Sequence, residues 1–127
     1  MIFGRSTKAT NAKKLDERAG RAAESAAAML LRLKGYRVLA RRFQGRRGEV
    51  DLIARRGSVL AFVEVKRRPN VEIAAESITP RQRARIVAAA EEFVAARPRL
   101  APLGIRFDAV LVVPGKLPRH IADAWRP

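Results

Sequence analysis

The stretch Glu49-Val50-Asp51-Leu52-Ile53-Ala54-Arg55-Arg56-Gly57-Ser58-Val59-Leu60-Ala61-Phe62-Val63-Glu64-Val65-Lys66 decides how this chain reads. Its two short apolar runs, 49–54 and 58–66, are separated by Arg55-Arg56-Gly57, the pattern of two strands joined as a hairpin. Inside those runs, carboxylates stand where a strand core would carry hydrocarbon. Alternation predicts Val50 and Leu52 on one face, with Glu49, Asp51 and Ile53 on the other. In the second run Val63 and Val65 share a face, and Glu64 and Lys66 project together from the opposite one. Pairing the strands brings Asp51 and Glu64 to one side of the sheet.

Two carboxylates held together repel each other unless a cation sits between them. Oxygen donors of this kind suit Mg2+ or Mn2+, with water and a substrate phosphate completing the shell. Lys66 would lie beside that cation, placed to position or help deprotonate an attacking water or to steady transition-state charge. A Glu-x-Lys alone is more often a solvated pair on a half-exposed strand; the upstream Asp51 is what lifts the signal. Glu24 reads equally as a surface glutamate and as a third acid at a helix–sheet boundary. Glu49 ranks below these, being nearer the strand's start. Asp108 is expected to pair with Arg106 or another arginine as a structural group, and His120, the only histidine, is assigned no catalytic work.

Working outward, a helix is expected over residues 16–34, closed by Gly35. Ala19, Ala22, Ala23, Ala26, Leu30 and Leu33 form its expected buried face. Residues 1–15 read as a flexible basic arm, and residues 16–127 as one domain. Residues 36–43 read as a strand, interrupted by a basic loop around Gly45 and Gly48 in which Arg41, Arg42, Arg46 and Arg47 are candidates for nucleic-acid binding. Residues 67–77 read as a polar, flexible stretch. Thr79-Pro80-Arg81-Gln82 has the form of a helix start, with Thr79 as N-cap and Gln82 reaching back to it. Ile86, Ala89, Ala90, Phe93 and Val94 then share one side, and Pro98 ends the helix. Residues 105–113 are a strongly apolar strand, and residues 117–125 a short strand or turn over the sheet edge. The order is a mixed sheet with helices packed on it, an α/β domain.

Composition narrows the partners. The chain has 127 residues, enough for one real core. Lys and Arg number 27 against 12 Asp and Glu, a formal charge of +15, which suits a polyanion because neutralising phosphates releases counterions. Arginine dominates that charge, and its planar fork matches phosphate oxygens better than an ammonium does. The absence of cysteine excludes disulfides and thiolate metal sites. The apolar runs are far too short to span a bilayer, and no signal-peptide stretch opens the chain, so no membrane is expected and a cytoplasmic location is the default.

The ordered set of Ala23-Glu24, Gly48-Glu49-Val50-Asp51-Leu52-Ile53, Phe62-Val63-Glu64-Val65-Lys66, Arg106-Phe107-Asp108, His120-Ile121 and Ala124-Trp125 resembles the YraN-like bacterial proteins. The resemblance covers residues 18–125. That family is similar to the restriction-endonuclease and Holliday-junction-resolvase group of the PD-(D/E)xK type. It implies a restriction-endonuclease-like mixed central sheet flanked by helices, with the metal site at the sheet's edge. It also implies Glu24 as the helix acid, Asp51 as the strand acid, and Glu64 with Lys66 as the Glu-x-Lys element. Val50 replaces the proline of the nominal motif. Junction-cutting relatives act as dimers, so a homodimer is an open expectation, although the Val110-Leu111-Val112-Val113 run reads first as core.

Two functions follow. One is a Mg2+- or Mn2+-dependent endonuclease acting on DNA ahead of RNA, with branched or damaged structures as a candidate substrate class, Glu24, Asp51 and Glu64 at the metal and Lys66 assisting water attack. The other is a non-catalytic nucleic-acid-binding module on the same scaffold, with steep salt dependence and no response to metal.

Overall fold

A computed structural model describes residues 2–70 and 77–127, with side chains from residue 11 onward in the first stretch. Helix α1 (Ile2–Leu33) is followed by strands β1 (Arg37–Gln44), β2 (Glu49–Arg56) and β3 (Val59–Arg67). Helix α2 (Pro80–Ala95), a 3-10 turn (Pro98–Leu100), and strands β4 (Gly104–Val112) and β5 (Arg119–Trp125) complete the chain. The five strands form one sheet in chain order. All neighbours are antiparallel except β3 and β4, whose parallel pairing requires the crossover through α2. The fold is α/β, a five-stranded mixed sheet with two helices, consistent with a restriction-endonuclease-like architecture.

Each helix covers one face of that sheet. On the α2 side, Ile53, Leu60, Phe62 and Phe107 pack with Ile86, Ala89, Ala90 and Phe93. On the α1 side, Leu52, Ala54, Ala61, Val63 and Val110 pack with Ala27, Ala28 and Leu31. Burying such side chains stabilises by about 1.5–3 kcal/mol for each large one. Val110 and Leu111 are thus core, as their run suggested.

Local chemistry explains the element ends. At α2 the Thr79 hydroxyl accepts from the Gln82 amide at 3.2 Å while the Gln82 side chain accepts from the Thr79 amide at 3.2 Å, closing the expected capping box. After α1, Gly35 adopts φ 90° and the Tyr36 amide returns to the Leu31 carbonyl, which turns the chain into β1. The hairpin turn sits at Gly57-Ser58, slightly later than the sequence suggested, with Gly57 at φ 59°.

Three sequence expectations change. Helix α1 begins at Ile2 rather than near residue 16; the upstream residues contain no proline and are rich in helix formers, so a nucleated helix continues through them. Its buried face is Ala23, Ala27, Ala28 and Leu31, whereas Ala22 and Leu33 are exposed. The alanine run offers apolar side chains at nearly every position, so periodicity could not set the phase. Val50 and Leu52 lie in opposite cores, not on one face. Of the stretch read as polar and flexible, residues 71–76 lie outside the described residues.

Candidate active site

The reversal of faces at Val50 and Leu52 marks the place where the sheet divides. The β2–β3 ladder runs from Arg56↔Val59 to Leu52↔Val63 and ends there. β1 stays with β2 as far as Gln44↔Glu49, and β3 stays with β4 as far as Arg67↔Val112. Arg42 falls between the pairs Arg41↔Leu52 and Phe43↔Val50, opposite Asp51, and holds φ 52°. A left-handed conformation is strained for an arginine. The kink swings the tip of the β1–β2 ribbon onto α2, where Phe43 meets Phe93 edge-on and the Arg46 amide donates to Glu92 at 2.7 Å. Gly48 touches α2 so closely that a Cβ would stand 1.8 Å from the Arg85 carbonyl oxygen.

Asp51 and Glu64 occupy the opening. With no residue of β2 paired to it, the Val65 amide donates to the Asp51 carboxylate at 2.8 Å. Burial and then the adjacent Asp51 carboxylate, with which it shares a hydrogen bond, push the Glu64 carboxyl up to about 9; Lys66 only partly opposes this. Lys66, itself buried, places Nζ 3.7 Å from Glu64 Oε1. A small cavity of about 260 Å3 lies over the two acids and under α1, and Glu24 lines it. Lys66 reaches that cavity through Glu64 and does not line it.

Glu24 already has a partner: Arg42 Nε donates to its Oε1 at 2.7 Å. Among the described residues, no group of three or more His, Cys, Asp or Glu side chains stands close enough to hold a metal ion between them. The predicted acids therefore resolve into a contacting pair, Asp51 and Glu64, and a third acid on the same cavity tied to an arginine; Asp16 of α1, which the sequence reading did not single out, lines the cavity as well. Glu49 is exposed beside Arg85, 3.7 Å away.

The four arginines assigned to a basic loop separate. Arg41 and Arg42 are in β1 and bond to Ser25 and Glu24 of α1. Arg46 and Arg47 are exposed at the ribbon tip, over α2. Arg67 and Arg68, directly after Lys66, border the acidic cavity; their place in a polar stretch beyond the strand hid them, although their adjacency to the Glu-x-Lys element was a usable signal.

Asp108 is structural, as its neighbour suggested. It accepts two hydrogen bonds from Arg106, at 2.8 and 2.7 Å, and one from the Asp123 amide at 2.9 Å. His120 does have a partner: its Nε2 lies 2.8 Å from Asp108, and Lys34 Nζ lies 2.6 Å from its Nδ1. An ammonium offers only hydrogens, so Nδ1 accepts and Nε2–H donates to Asp108. Burial alone would raise the Asp108 carboxyl, but the bonds from His120, Arg106 and Asp123 outweigh it and hold it at about 2.

The profile of the uncharacterised protein family UPF0102 matches residues 23–112, which contain the divided sheet, both acids and Lys66. The chain belongs to that family. This is the YraN-like family whose motifs the sequence resembled. Among similar UPF0102 proteins, one from Paramagnetospirillum magneticum is 57% identical over 114 residues, covering 87% of this chain and 88% of the relative. Another from Parvibaculum lavamentivorans is 54% identical, covering 87% and 83%, and one from Rhodopseudomonas palustris is 52% identical, covering 85% and 83%. Among the described residues of this UPF0102 member, no helix is long and apolar enough to cross a membrane.

Proposed function

We propose that this UPF0102 protein is a Mg2+- or Mn2+-dependent endonuclease that hydrolyses phosphodiester bonds of DNA, with branched or damaged duplexes as the substrate class. The observation that carries this reading is the contact between Asp51 and Glu64 at the fork, beside the buried amine of Lys66. A carboxyl pushed up to about 9 by burial and a second carboxylate needs either a proton or a cation. Two carboxylates with room above them fit Mg2+, which is commonly held by one or two carboxylates plus substrate phosphate and water.

Asp51 and Glu64 would hold the ion, whose chemistry when bound is Lewis acidity toward the phosphate and a lowered pKa for water. Accepting the Val65 amide fixes the orientation of Asp51. Lys66 partly offsets the charge on Glu64, and its ammonium can donate to a phosphate oxygen or to the incoming water. Arg67 and Arg68 at the cavity rim would meet the backbone phosphates. Glu24 supports the site through Arg42, whose strained backbone sits opposite Asp51.

Purified protein is expected to nick or cut some member of a panel of branched, nicked and duplex DNA when Mg2+ or Mn2+ is added. Asp51→Asn and Lys66→Ala should each lower that cleavage by about 100-fold or more. A panel left intact under both ions removes the catalytic reading. The pairing of Glu24 with Arg42 favours a second one, a nucleic-acid-binding module without catalysis. Calorimetric titration with Mn2+ separates the two: binding lost in Asp51→Asn belongs to the enzyme, and binding that is absent in both chains belongs to the module.

A further inference from the structure

The end of the sheet away from the fork carries a second concave feature. A cavity of about 610 Å3 opens between the start of β1, the end of β2 and the chain leaving α2. Arg37, Arg55, Arg97 and Arg99 line it above Phe93 and Leu100, and no carboxylate shares the lining. Arg37 and Arg55 are direct partners across the antiparallel pair, and like charges so placed destabilise a sheet. Neither the Arg37 nor the Arg99 side chain makes a hydrogen bond or ion pair with another described residue. This contrasts with Arg42, Arg106 and Arg126, each of which has an acid.

Two of the four heads are fixed in advance. The Arg97 guanidinium lies over the Phe93 ring at 3.8 Å and donates to the Phe93 carbonyl, while Arg55 Nε donates to the Gly57 carbonyl. Heads already held lose less freedom on binding, and guanidinium forks match phosphate oxygens in plane and spacing. A concave, acid-free ring of arginines with an unfavourable cross-strand pair is relieved by an anion.

We infer that this four-arginine cavity is a second phosphate-binding site, taking backbone phosphates of the nucleic acid that flanks the strand held at the fork. The inference rests on the nuclease reading for the identity of the polymer. Arg55 is four residues beyond Asp51 on the same strand, roughly 13 Å along it. That distance corresponds to about four nucleotide steps along a duplex axis, and because the arginine cavity lies on the α2 side of the sheet and the acidic cavity under α1, a flank that meets both passes round the free edge of β1.

The test uses the full 15N-labelled chain and follows the arginine Nε–H resonances during titration with a short DNA duplex or with inorganic phosphate. The duplex is expected to move the Arg55 and Arg97 signals to saturation. In Arg37→Gln/Arg55→Gln, the slope of log K against log salt should become shallower by about two, with duplex affinity at least tenfold weaker at low salt. Both side chains are exposed, and removing facing charges relieves repulsion, so thermal unfolding of this variant should match or exceed the parent. An unchanged salt slope overturns the site, as does a duplex that fails to bind. Inorganic phosphate saturating the same signals while the duplex leaves them in place overturns the backbone assignment. A changed slope in a protein that cuts nothing leaves this site standing and removes the nuclease. Cleavage that needs Lys66 alongside an unchanged slope does the reverse.

Discussion

Two acids in neighbouring strands of this protein, Asp108 fully buried and Glu64 half-buried, are treated oppositely. Asp108 in β4 has no exposed surface, yet it is held at about 2 by Arg106, His120 and the Asp123 amide. Glu64 in the neighbouring β3 is pushed up to about 9 by burial and then by the adjacent Asp51 carboxylate, which Lys66 only partly offsets. The first is a closed account of donors and acceptors, the arrangement of a structural group. The second is left short of positive charge beneath an open cavity, where a ligand can supply it.

The most damaging way to break this contrast is at Asp108. Asp108→Ala strands Arg106 and His120, and should lower stability by about 3–5 kcal/mol, measured by urea unfolding. A loss below about 1 kcal/mol would show that the network does not stabilise the fold. The native carboxyl also has a pH signature. Its folded pKa is depressed, so its stabilisation is present above the ordinary aspartate range and disappears as pH falls toward about 2.

Glu64 should behave with the opposite sign. Its folded pKa is raised from 4.5 to about 9, so without added cation the parent protein loses stability as pH climbs through that window. Glu64→Gln removes the titration, and should exceed the parent in thermal stability at the alkaline end, by at least about 1 kcal/mol, the equivalent of one pKa unit. Equal pH profiles for the two chains would count against the uncompensated pair. The smallest effect is expected at the link between α1 and the ribbon: Arg42→Ala, removing a partly exposed pair, should cost under about 1 kcal/mol in chemical denaturation. A larger loss would mean that the pair pins the kink at Asp51.

Much of this was legible in advance. The capping box at Thr79, the β2–β3 hairpin and the apolar β4 rest on near-neighbour chemistry, and the structure contains all three. The contact between Asp51 and Glu64 was legible too, because a hairpin brings its two strands together at one edge. The faces were not. Simple alternation placed Val50 with Leu52, but the chain reverses at Asp51 because the ribbon tip is drawn to α2 by Phe43, Gly45 and Gly48. His120 appeared isolated because its partners come from distant parts of the chain, Lys34 and Tyr36 from the α1–β1 turn and Asp108 from β4.

The order of residues by itself determined the element types, the helix caps, the arginine-rich surface and the acids in β2 and β3, since each depends on neighbours within a few positions. Only the tertiary structure decided that Glu24 turns to Arg42, that the sheet forks at Asp51, and that four arginines from β1, β2 and the exit of α2 ring one cavity. Those outcomes depend on how two helices press on opposite faces of one twisted sheet, a global packing balance that no local stretch encodes.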